Sequence, residues 1–109
     1  MCVICKTMSR RMKTHASFIK FLYNSTVKQR KAILSNLTEE QVNLLSEIAL
    51  NIFKGVFPHR EKYAKTLEPY KLIIARLAHK SESKAQKKKL LLRNVKVVQK
   101  LLKPVLDYL

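Results

Sequence analysis

Acidic residues are nearly missing from both ends of this 109-residue chain, and that absence narrows its function first. Residues 1–37 hold eight Lys/Arg and no Asp or Glu, whereas residues 80–109 hold nine against only Glu82 and Asp107. The middle, residues 38–79, is close to balanced, with six bases and five acids. A single glycine and three prolines leave few sites for tight hairpins, which argues against a many-stranded fold. Two cysteines, Cys2 and Cys5, are too few for a disulfide framework and fit an intracellular setting. No run approaches the roughly 18 apolar residues that cross a bilayer. No long apolar segment follows the basic N-terminal residues, so no secretory signal is expected.

What is present points to helices. Apolar residues make up 47% of the chain, too many for a wholly disordered tail, and Leu, Lys, Ala, Gln and Glu favour helix. Residues 1–13 lack helical periodicity and read as a flexible basic arm. Phe18, Ile19, Leu22 and Tyr23 then follow a helical stripe, interrupted at Asn24-Ser25-Thr26, where Thr26 can cap a second helix. Thr38-Glu39-Glu40-Gln41 fits a capping box with acids at the positive end of the helix dipole. Val42, Leu45, Ile48, Ala49, Ile52 and Phe53 carry that helix to Gly55, placed where a C-cap needs positive φ. Pro69 either begins or interrupts a further helix with Tyr70, Ile73, Ile74, Leu77 and Ala78 on its apolar side. Lys80-Ser81-Glu82-Ser83 breaks the pattern, and Ser83 with Gln86 suggests another capping box.

Beyond Ser83, a projection at roughly 100° per residue gathers Lys89, Arg93, Lys96, Lys100 and Lys103 on one side, together with Asp107. Leu91, Val95, Val98, Leu102 and Val105 fall on the other. The pattern predicts one cationic amphipathic helix, bent near Pro104, that either docks on the rest or swings free. The expected fold is therefore all-α: a small bundle of about four helices over residues 14–79, followed by a basic amphipathic tail over 80–109.

Catalytic and metal chemistry find little support. A structural zinc needs four ligands, and Cys2-x-x-Cys5 has no second pair, while His15, His59 and His79 are scattered. There is no Gly-rich phosphate loop or paired-carboxylate motif, and the only Asp is Asp107. No enzyme activity, metal or cofactor is expected. The lysine run is different, because neighbouring cations repel with almost no acid among them, and an external anion would offset that cost. The aromatics Phe18, Phe21, Tyr23, Phe53, Phe57, Tyr63, Tyr70 and Tyr108 do not interleave with Lys/Arg, so they are expected in the core, with no base-stacking platform.

The run from Phe18 to Leu92 resembles the small basic proteins of adintoviruses and related Maverick/Polinton-type elements of animal genomes. The resemblance rests on Phe18-Ile19-Lys20-Phe21-Leu22, Gln29-Arg30-Lys31-Ala32, and the stretch from Leu44 to Gly55 with its Ser46-Glu47-Ile48-Ala49-Leu50-Asn51 core. Tyr70-Lys71 and Arg76-Leu77-Ala78 before the lysine run continue it. It implies a virion component comparable to the DNA-condensing core protein X of adenoviruses, with no active-site residues to carry over. The family's C-terminal Gly-Gly-Phe element is replaced here by Arg93-Asn94-Val95, so the role of the family's apolar tail does not carry over.

These readings converge on sequence-independent binding of nucleic acid, double-stranded DNA first, in a nucleus or virion. The expected phosphate contacts are Lys84, Lys87, Lys88, Lys89, Arg93, Lys96 and Lys100, with Arg10, Arg11 and Lys13 as a second cluster. The rivals are an anionic membrane engaged by residues 84–109, and a capsid-interior or scaffolding partner, or a second copy of the chain, on the apolar stripe.

Overall fold

The computed structural model describes residues 13–55, 60–79 and 81–107. Cys2, Cys5, Arg10, Arg11, Phe57, His59 and Tyr108 lie outside them. The described elements are α1 (Ala16–Asn24), α2 (Val27–Ser35), α3 (Glu39–Phe53), α4 (Arg60–Leu67), a 3-10 turn (Glu68–Tyr70), α5 (Lys71–Ala78), α6 (Lys84–Arg93) and α7 (Val95–Leu106). The all-α expectation holds among the described residues, but the chain divides into more and shorter helices than the four expected.

Each division has a local cause. At Thr26 and Thr38 the hydroxyl accepts the amide three residues on, and Gln29 or Gln41 returns a bond to the threonine amide, so α2 and α3 both start in full capping boxes. Ser83 Oγ accepts the Gln86 amide at 3.1 Å to start α6, which is one half of the capping box expected there. Gly55 takes φ 68° after α3, and its amide donates to the Ile52 carbonyl at 3.0 Å, closing the helix end. Pro69 sits in the 3-10 turn between α4 and α5, where its missing amide removes no α-helical bond.

The C-terminal helix expected to be continuous is broken at Asn94, whose backbone leaves the helical region at φ −129° and ψ 50°. Its amide donates to Leu91 O at 3.1 Å and its carboxamide to Leu90 O at 2.8 Å, satisfying carbonyls at the end of α6. The Asn94 carbonyl in turn accepts from Val97 at 2.9 Å and starts α7. A single angular projection across residue 94 therefore loses phase.

Of the two arrangements open to the C-terminal segment, docked or free, the structure shows the docked one. Leu90, Leu91, Val95, Val97, Val98, Leu101, Leu102 and Val105 belong to the same buried cluster as Ile19, Leu22, Leu34, Leu45, Ile48 and Leu77. Helix α7 touches α1, α2, α3, α4 and α6, so it is a hub of the packing, as α3 is for α5, α6 and α7. Each fully buried Leu, Ile or Val contributes about 1.5–3 kcal/mol of transfer free energy. The radius of gyration, 12.8 Å, matches the roughly 13 Å of a single folded unit of this length. The aromatic expectation needs correction, since Phe21 is 62% and Phe53 54% exposed.

Candidate nucleic-acid interface

Cations in this chain divide into those the fold uses and those it leaves outward. Arg30 belongs to the first group. It is buried at 2% exposure, with Nε donating to Leu22 O at 3.3 Å and Nη2 to Tyr23 O at 3.4 Å and Ser25 O at 2.7 Å. Those carbonyls close the end of α1, where no intrahelical donor remains and the dipole favours a positive charge. Arg30 is a cap, although it adds to the basic N-terminal count.

Lys87, one of the expected phosphate contacts, is the second inward cation, buried at 8% exposure. Its Nζ donates to Ser46 Oγ at 2.7 Å, and Ser46 Oγ donates to the Leu77 carbonyl at 2.7 Å. This chain of bonds joins α6, α3 and α5. Burial lowers the Lys87 pKa below its ordinary 10.5, and the Glu82 carboxylate opposes part of that shift. The signal for an inward Lys87 was in the sequence. It lies three and four residues before Leu90 and Leu91, and so shares their face.

Lys84 is committed in part, with Nζ 3.2 Å from Glu39 Oε2 at the start of α3. Lys100 is half-buried against Tyr70, its Nζ 3.1 Å from the phenol oxygen and 4.7 Å from the ring centroid. The remaining members of the expected set, Lys88, Lys89, Arg93 and Lys96, together with Lys13, are exposed or half-buried. Lys89 and Arg93 lie four residues apart on α6, and Lys96 lies in the first turn of α7.

Lys/Arg ion pairs are sparse among the described residues: Arg76–Glu82 at 3.1 Å, Lys84–Glu39 at 3.2 Å and Lys103–Asp107 at 3.8 Å. Lys88, Lys89, Arg93 and Lys96 have no carboxylate partner among the described residues. Helix α6 also opens with Lys84, Lys87, Lys88 and Lys89 and no acid in its first turn. That is the helix end where the dipole favours anions. An external anion would relieve both the repulsion and the dipole conflict.

Sequence reasoning missed a second group. Lys62 on α4 and Lys103 on α7 meet Lys100 in a groove of about 380 Å³ between α1, α4 and α7, beside Tyr23, Tyr63 and Thr66. Lys103 shares the Lys100 face at i+3, but nothing in the sequence brings Lys62 to it. No group of three His, Cys, Asp or Glu that could hold a metal occurs among the described residues. No described helix is long and apolar enough to cross a membrane. No protein-family model matches the chain, and no similar curated protein or solved structure was found.

Proposed function

We propose that the protein binds nucleic acid without regard to sequence, through phosphate contacts from Lys88, Lys89, Arg93 and Lys96, and serves to package or condense double-stranded DNA in a virus-like particle. The observation that carries this reading is the set of cations on α6 and the start of α7 that have no carboxylate partner among the described residues. Arg10, Arg11 and Lys13 add charge ahead of α1. Double-stranded DNA has a high line density of charge, one phosphate per roughly 1.7 Å of axis, and suits a patch with no base-reading element.

The membrane alternative is less well supported. Val95, Val98, Leu102 and Val105, the stripe that would enter a bilayer, are buried in the protein's own core. The same burial counts against the stripe as a dock for a scaffolding partner.

Salt-titrated DNA binding tests the proposal. With about four to seven phosphates neutralised, log affinity falls against log salt with a slope of about −4 to −6. Arg93→Gln and Lys89→Gln each flatten that slope by about one, while Lys87→Met leaves it unchanged. Binding indifferent to salt, or a slope that responds to Lys87 and ignores Lys89 and Arg93, overturns the assignment.

A further inference from the structure

We propose that the groove between α1, α4 and α7 is a discrete seat for one phosphate group, held by Lys62, Lys100 and Lys103. The inference rests on the polyanion reading only for the origin of its ligand, because the seat itself is built by the fold. Three lysines from two helices are among the residues lining the groove, and no Asp or Glu is among them. Among the described residues, the carboxylate in contact with any of the three is Asp107, 3.8 Å from Lys103 and itself about half exposed. Such a pair contributes little, about 0–1 kcal/mol, and leaves Lys103 able to turn toward an anion.

Two features make this more than a solvated charge cluster. Lys100 is held in place by Tyr70, through both its hydroxyl and its ring, so its charge does not wander. An ammonium has three donors, and the Tyr70 contact uses one, leaving two for an oxyanion. One wall is also pinned across elements, since the Gln99 carboxamide of α7 donates to the Tyr23 carbonyl of α1 at 3.3 Å. Tyr23 and Thr66, which carry hydroxyls, are also among the lining residues. Its volume of about 380 Å³ exceeds what a lone phosphate fills and accommodates an attached sugar or a second phosphate. The ligand is therefore a phosphate ester or polyphosphate oxyanion, whether from a nucleic-acid backbone or from a free phosphorylated compound.

Calorimetry of the full chain with inorganic tripolyphosphate, and in parallel with duplex DNA, tests this. The expected result is saturable one-to-one binding of tripolyphosphate that weakens about tenfold in Lys62→Gln and in Lys103→Gln, the loss of one charge-assisted bond. Lys31→Gln and Lys54→Gln, exposed positions outside the groove, leave it unchanged. Absence of saturation, or equal weakening by all four variants, overturns the seat even if DNA binding keeps its salt slope. Saturable tripolyphosphate binding without DNA binding sustains the seat with a free phosphorylated ligand and overturns the nucleic-acid reading. Displacement of tripolyphosphate by DNA, lost in the groove variants, supports the backbone as the source.

Discussion

Two basic side chains carry consequences that charge counting cannot assign. Arg30 donates to three carbonyls at the α1–α2 joint, of which Leu22 O also accepts from Ser25 and Tyr23 O from Gln99. Arg30→Met therefore removes the donor of Ser25 O and costs about 1–3 kcal/mol in denaturant unfolding. Arg30→Lys recovers only part of that, because an ammonium lacks the planar fork that reaches several acceptors. The DNA salt slope is unaffected in either variant. Lys87 has a pH signature. Its folded-state pKa lies below its ordinary 10.5, so at neutral pH the fold bears the cost of a desolvated charge. Between the lowered pKa and 10.5 the unfolded chain binds more protons, and stability rises with pH through that window. Wild type therefore gains ground on Lys87→Met as pH rises toward 10.5, read as the difference in urea midpoints. A constant difference removes the effect. Neither role was legible from composition. The buried place of Lys87 was visible in its spacing to Leu91, but Ser46 as its partner comes from a helix 41 residues away.

Element boundaries were the most legible part of the sequence, because caps are local chemistry. Thr26, Thr38, Ser83 and Gly55 each act where the pattern places them, through bonds to residues three positions away. Thr38→Ala removes the cap of α3, and its expected cost is about 1 kcal/mol in thermal or chemical unfolding. Gly55→Ala forces a Cβ into positive φ and costs about the same. The break at Asn94 was not legible, since neither proline nor glycine marks it. Asn94 stops α6 by bonding the backbone of its own last turn, a competition that propensity alone does not show. The outward Phe21 and Phe53 were misread for a related reason. Helical periodicity ranks faces, but which face is covered depends on helices that arrive from elsewhere in the chain.

At the scale of the whole molecule, the C-terminal third is a structural necessity. Helices α6 and α7 supply eight members of the single buried cluster. A chain ending at residue 82 therefore loses cooperative unfolding and much of its far-UV helical signal, and its failure to bind DNA would report unfolding alone. Leu102→Ala, at full burial, gives the graded version, a loss of about 2–5 kcal/mol with the patch on α6 intact. The sequence revealed the apolar stripe of α7 but not that α1, α2, α3 and α4 close around it, because tertiary coverage has no signature in periodicity. A practical corollary concerns fragments. Synthetic material spanning 84–107 would offer vesicles an oily ridge that the intact molecule keeps indoors, so leakage caused by such a peptide would be a property of the excised piece and not of the protein.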